Sequence, residues 1–275
     1  MQLNEKIKIF QKEGFDKILV ITDFDGTLTY GYNKDGSRTD NSFSVFRNHN
    51  YFPQEYEKKA DELYDYYYPI EIDHSISENI RKEKMYEWWS KHIELITTQA
   101  GITKEIIFDI VENDYVKLRN GNLEFFKICE NRKIPIIIFS AGEGNLIEEI
   151  LKGKSLLTSN VELVSNFYKW ENGKISDIIG EIIHSMNKDM HGFSHLKNYN
   201  DIVKRKNVIL IGDHLGDLKM VSGFEYDNVI KIGFLNVKNN LEMKNKYLEE
   251  FDLVIEEDSD FSKINELLKE VLENE

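Results

Sequence analysis

ILVITDFDGTLTYG, residues 18–31, begins as five apolar or β-branched residues and then, at the next position, presents a carboxylate. Asp23 and Asp25 are separated only by Phe24 and followed by Gly26-Thr27. A short apolar run bounded by turn residues reads as a buried strand, and an aspartate pair at its end reads as chemistry leaving the core. Similar runs recur at KILVIT (17–22), IPIIIF (134–139), NVILIG (207–212), VIKIGF (229–234) and DLVIE (252–256). Helical patterns lie between several of them, including NLEFFKICENRK (122–133) and a helix starting near NLIEEILKG (145–153). Strand, helix, strand in that order predicts an α/β fold with a parallel, Rossmann-like sheet covered on both faces.

Residues 33–118 interrupt this rhythm. They lack strand runs and carry charged, aromatic, helical stretches at 54–68, 77–101 and 103–114. The expectation is a helical insertion directly after the first strand, with 1–32 and 119–275 forming the core. The charged stretch NNLEMKNKYLEEFD (239–252) predicts a solvated helix.

Composition narrows the partners. The chain has 275 residues, 35 Lys plus Arg against 49 Asp plus Glu, and a net charge of −14, so DNA or RNA is not expected as a partner. Its single cysteine, Cys129, excludes an internal disulfide framework and fits a reducing compartment. The first 17 residues are too charged for a signal peptide, and no apolar run is long enough to span a bilayer. A cytoplasmic protein is the default expectation.

In a parallel α/β sheet, functional residues gather beyond the carboxyl ends of the strands. At the first exit, two adjacent carboxylates repel unless a cation neutralises them, and a hard ion such as Mg²⁺ suits oxygen ligands. At the second, Ser140 offers a hydroxyl, while Ala141 and Gly142 offer close backbone approach to an anion. A third exit, in LIGDHLGDLKM, supplies Asp213 and Asp217. Lys188 is a candidate cation. Taken singly, each has an ordinary reading: an Asx-turn, small residues after a strand, a Gly-Asp turn, an exposed lysine. Their combination in one chain order is what points to phosphoryl chemistry.

That combination resembles the haloacid-dehalogenase-like (HAD-like) phosphatase superfamily. The segments YYPIEID (67–73), EWWSKH (87–92), FSAGEGN (139–145), VSNF (164–167), GEIIHSMNK (180–188), GDHLGD (212–217) and KIGFLN (231–236) are similar to the cytosolic type III, or pyrimidine, 5′-nucleotidases. The resemblance implies a Mg²⁺-dependent 5′-nucleotidase hydrolysing CMP, UMP or 7-methyl-GMP. In that pattern Asp23 is the nucleophile and Asp25 the general acid and base. Mg²⁺ is held by the Asp23 and Asp213 side chains and the Asp25 backbone carbonyl. Ser140, Ala141, Gly142 and Lys188 bind phosphate, and Asp217 supports the metal shell or Lys188. The insertion becomes a cap carrying Glu71 for the nucleoside and Trp89 for the base. His92 stands where relatives carry smaller residues that touch the ligand, and Gly26 is closer to the general superfamily form. A monomer acting on a small nucleotide is the expectation. The alternatives are a phosphatase or phosphotransferase for another small phosphomonoester, and a catalytically silent binding protein on the same fold. The pair His191 and His195 lacks companion ligands, so zinc is not expected there.

Overall fold

The computed structural model describes residues 1–73, 75–188, 196, 198–223, 225–237 and 240–273. An N-terminal helix α1 (Leu3–Glu13) leads into β1 (Ile18–Thr22). The inserted region then contributes α2 (Ser44–Asn48), α3 (Gln54–Ile72), α4 (Glu78–Leu95) and α5 (Lys104–Glu112). The core continues with α6 (Asn122–Asn131), β2 (Ile136–Glu143), α7 (Gly144–Gly153), β3 (Val161–Glu171) and β4 (Lys174–Ile179). It ends with α8 (Tyr199–Ile202), β5 (Asn207–Gly212), β6 (Asn228–Leu235), α9 (Leu241–Glu250), β7 (Leu253–Glu256) and α10 (Ser262–Leu272).

The strands form one sheet in the order β4-β3-β2-β1-β5-β6-β7. All neighbouring pairs are parallel except β3 with β4. Within β1, Ile18 and Val20 pack into one apolar layer, while Leu19 and Ile21 pack into the other. In β2, Ile136 and Ile138 face the first layer, and Ile137 and Phe139 the second. That two-residue alternation, with apolar side chains on both faces, is why these strands read as continuous apolar runs.

The helical insertion after the first strand is present, with no strand among its described residues. Its base joins the sheet's first apolar layer: Val45, Phe46, Tyr56, Ile93 and Ile96 belong to the same cluster as Ile18, Val20 and Phe24. The chain enters and leaves this insertion side by side, through a bridge between Thr29 and Leu118 and a Tyr30 N–H bond to the Lys117 carbonyl.

Three local expectations need correction. The hairpin β3–β4 was not foreseen, although Asn172-Gly173 at its turn, both at positive φ, is the residue pair such turns require. The 77–101 stretch is not one α-helix: it ends at Leu95 and widens into a π turn over Ile96–Ala100. Helix α9 is mostly solvated as expected, but Tyr247 is buried, and its hydroxyl donates to the Asp213 carbonyl.

Candidate active site

The carboxyl ends of β1, β2 and β5 open into a cavity of about 230 Å³ lined by Asp23, Asp25, Ser140, Ala141, Gly142, Lys188, Asp213 and Asp217. Because β1 lies between β2 and β5, its exit faces both of the other two. Asp23 prolongs β1, its N–H donating to the Ile211 carbonyl at 3.0 Å. Gly26 then turns the chain at φ +77, and a Cβ there would fall 2.3 Å from Asp213 Oδ2. Position 26 therefore requires glycine twice over, for its backbone conformation and for its approach to Asp213.

Lys188 is buried between two carboxylates, its Nζ 2.5 Å from Asp23 Oδ1 and 3.0 Å from Asp217 Oδ1. Burial opposes its charge, but Asp217 and Asp23 together hold its pKa above the usual lysine range. Asp217 Oδ2 accepts from the N–H groups of Asp213 (3.2 Å) and His214 (3.0 Å). Burial is the main cause that lifts Asp23 to about 7, against the pull of Lys188. Asp213 is also raised, by burial and then by the charges of Asp23 and Asp217. Burial raises Asp25 too, opposed by its bonds to Ser42.

One oxygen from each of Asp23, Asp213 and Asp217 lies within 4.8 Å of the others, so the cluster suits a cation with oxygen ligands. Its donor set fits a hard divalent ion, because four carboxylates line the cavity beside a single lysine among the described residues. Both oxygens of Asp217 are already engaged, Oδ1 by Lys188 and Oδ2 by the N–H groups of the turn.

At the second exit, Gly142 N–H donates to Ser140 Oγ at 2.9 Å. Gly142 thus contributes close approach rather than a backbone donor aimed at an anion. Ser165 and Asn166, from the VSNF segment, bind the carbonyls of Gly142 and Ala141 and hold this loop.

The residues expected to recognise the nucleoside sit less directly. Trp89 lines the cavity and meets Phe43 edge-on at 5.3 Å. His92 stands behind that pair, edge-on to Phe43, with Nε2 3.0 Å from the Tyr56 hydroxyl. Burial, then the charge of Arg47, lowers His92 to about 4, so it is neutral near pH 7. Glu71 is not among the lining residues; its carboxylate accepts from Ser185, which is. His191 and His195 lie outside the described residues.

Sequence reasoning missed Ser42, Phe43, Arg119 and Asn236. Ser42 binds both oxygens of Asp25. Asn236 Nδ2 donates to Asp213 Oδ2 (3.2 Å) and to the Gly26 carbonyl (2.8 Å). Arg119, fully buried, binds the carbonyls of Gly26 and Thr27, Asn236 Oδ1 and Asp258. Asn236 sits in the KIGFLN segment, whereas nothing in local pattern marks Arg119.

A central parallel sheet with an Asp-x-Asp exit, a serine exit, a buried lysine and a Gly-Asp-x-x-x-Asp exit defines a HAD-like hydrolase. The chain belongs to the pyrimidine 5′-nucleotidase (UMPH-1) family, phosphoric monoester hydrolases whose profile matches residues 26–272. It is 35% identical over 269 residues to a 7-methylguanosine phosphate-specific 5′-nucleotidase A of Xenopus laevis, covering 97% of this chain and 92% of that one. It is 34% identical to the 7-methylguanosine phosphate-specific 5′-nucleotidase of Homo sapiens, over 98% and 90% of the two chains. Its fold matches cytosolic 5′-nucleotidase IIIB bound to cytidine with a TM-score of 0.84 and 29% identity, covering 99% and 91%.

Proposed function

We propose that this protein hydrolyses nucleoside 5′-monophosphates to nucleoside and phosphate with Mg²⁺, through an aspartyl-phosphate on Asp23. The observation that carries the reading is the buried contact of Lys188 with Asp23 and Asp217, in one cavity with Ser140 and Asp213. The Asp23 and Asp213 side chains and the Asp25 carbonyl would hold Mg²⁺. When bound, the ion supplies positive charge against the phosphate dianion.

A carboxylate is a weak nucleophile, and Lys188 lessens its repulsion from phosphate. An Asp23 oxygen bonds to phosphorus while the bond from phosphorus to the ribose 5′ oxygen breaks. Protonated Asp25 gives its proton to that departing oxygen. As a carboxylate, Asp25 then takes a proton from water, whose oxygen bonds to phosphorus and displaces Asp23. Ser140 and Lys188 hold the phosphate oxygens through both halves.

Residues 33–118 act as the cap that excludes water and selects the leaving nucleoside. Trp89 and Phe43 offer aromatic faces to the base, and a positively charged 7-methylguanine suits indole through cation–π attraction. The names of the Xenopus and human relatives point the same way, while the cytidine in the matching structure supports CMP as a second substrate. Glu71 takes the nucleoside by exchanging its bond to Ser185. The reading includes a cytoplasmic monomer; no helix among the described residues is long and apolar enough to cross a membrane.

Phosphate release should depend on added Mg²⁺, stop on chelation and return on Mg²⁺ addition. Asp23→Asn should abolish it with an unchanged circular dichroism spectrum, and near-normal turnover by that variant would refute the assignment. Parallel assays on CMP, UMP and 7-methyl-GMP should show 7-methyl-GMP and CMP as substrates. Glu71→Ala should erase the preference for nucleotides over p-nitrophenyl phosphate.

A further inference from the structure

We infer that Ser42 is the positioning residue for Asp25: the inserted segment, not the core, sets where the proton carrier points. The inference rests on the proposed acid and base role of Asp25. Ser42 N–H donates to Asp25 Oδ1 at 2.8 Å, and Ser42 Oγ donates to Asp25 Oδ2. One residue thereby engages both oxygens and defines the plane of the carboxylate. A single hydrogen bond would leave that carboxylate free to rotate about the bonded oxygen; two bonds do not.

Ser42 is itself fixed. It is fully buried, and its Oγ accepts from Glu143 N–H at 3.3 Å, which ties it to the end of β2. Asn41 Oδ1 accepts from the N–H groups of Phe43 (2.9 Å) and Ser44 (2.7 Å), so a tight turn flanks Ser42 on either side. The neighbouring loop is shaped around the hydroxyl, since a Cβ at Gly142 would lie 2.0 Å from Ser42 Oγ. Three parts of the chain therefore meet at one hydroxyl: the β1 exit through Asp25, the β2 exit through Glu143 and Gly142, and the insertion through Ser42. Asp25 also lines the cavity in which the proposed reaction would place the leaving oxygen.

Removing the hydroxyl keeps the Ser42 N–H bond and releases Oδ2. The carboxyl group then samples orientations from which proton delivery fails. A loss of this kind depends on how much the leaving group needs a proton. A ribose alkoxide needs one, whereas p-nitrophenolate departs without it. The parameter kcat/KM reports steps through cleavage of the ester bond, so it isolates this proton transfer from the later hydrolysis of the aspartyl-phosphate.

The experiment measures kcat/KM for CMP, 7-methyl-GMP and p-nitrophenyl phosphate with wild type, Ser42→Ala, Asp25→Asn and the double variant, with melting temperatures alongside. Ser42→Ala should lower the nucleotide values by about 10- to 100-fold and the aryl phosphate value by less than about threefold. On the Asp25→Asn background it should cost nothing further, because Ser42 acts through Asp25. Ser42→Gly, which also retains the N–H, should show the same pattern and serves if the alanine variant does not fold. Equal losses for all three substrates, a further loss on the Asp25→Asn background, or no loss at all would overturn the inference. If Asp25→Asn itself fails to discriminate between leaving groups, the underlying role of Asp25 falls instead. The two failures are thus separable.

Discussion

The two oxygens of Asp217 serve different partners, since Oδ1 holds Lys188 while Oδ2 gathers the N–H groups of Asp213 and His214. One carboxylate can thus set both the cation and the loop that carries Asp213. Glu143 also combines two roles beside the site. Fully buried, it caps α7 by accepting from Asn145 N–H and Leu146 N–H. Burial pushes its pKa from the ordinary 4.5 up to about 8, against those two bonds. Between these values the folded protein keeps a proton that the unfolded chain has released, so this group's contribution to stability falls as pH rises from 4.5 toward 8. Glu143→Gln removes the titration while keeping one of the two acceptor oxygens, its NH₂ then facing the other amide N–H. The fall in its melting temperature between about pH 5 and pH 9 should be smaller than in wild type; a parallel decline in both proteins would contradict the account.

Among elements, the exits of β1, β6 and β7 are tied together by one guanidinium. Arg119 reaches Gly26 and Thr27 after β1, Asn236 after β6, and Asp258 and the Ser259 carbonyl after β7. Its face also lies 4.1 Å from the centroid of the Phe234 ring. Asn236 carries this order on to Asp213. Arg119→Ala would leave Asp258 buried without its cation and several carbonyls without a donor, a loss of about 3–5 kcal/mol. Urea denaturation should register that loss, and the Mg²⁺ concentration for half-maximal activity should rise because Asp213 loses its support. Unchanged values for both would remove Arg119 from the site's framework. At the opposite edge, β3 and β4 brace the insertion, since Thr103 bridges Lys174 and Ile175 N–H binds the Ile102 carbonyl.

Across the whole molecule, the insertion and core meet at two kinds of contact. At its base the insertion shares the apolar layer of the sheet, and that region has little freedom to move. At the far side of the cavity the contacts are polar: Glu71 with Ser185, and Glu78 with Lys219 at 2.5 Å. Both members of the second pair are partly exposed, so its strength is modest and salt-sensitive. This asymmetry suits a cap that pivots about its base and closes at its polar edge. Lys219→Glu places like charges across that edge and should raise KM for a nucleotide by about two- to fivefold, with the difference shrinking at high salt. The kcat/KM for p-nitrophenyl phosphate, which lacks the nucleoside that the cap is proposed to hold, should change less. An equal effect on both substrates would locate Lys219 in the chemistry rather than in closure.

The parallel sheet and the helical insertion were legible in the sequence, as were Asp23, Asp25, Ser140, Lys188, Asp213 and Asp217 as residues that the fold brings to one cavity. Buried parallel strands announce themselves as apolar runs, and chemistry at their exits sits at fixed offsets from those runs. The β3–β4 hairpin was less visible because its strands mix buried with partly exposed and polar residues instead of forming an apolar run, although Asn172-Gly173 marked its turn. Only the tertiary structure decided which groups occupy each carboxylate. Ser42 reaches Asp25 across 17 positions, Arg119 reaches Gly26 across 93, and Ser185 reaches Glu71 across 114. It also turned the Gly142 amide toward Ser140 and set His92 behind Phe43. Local pattern encodes which residues leave the sheet; contacts between distant segments form only when the chain closes, and they determine how those residues are held.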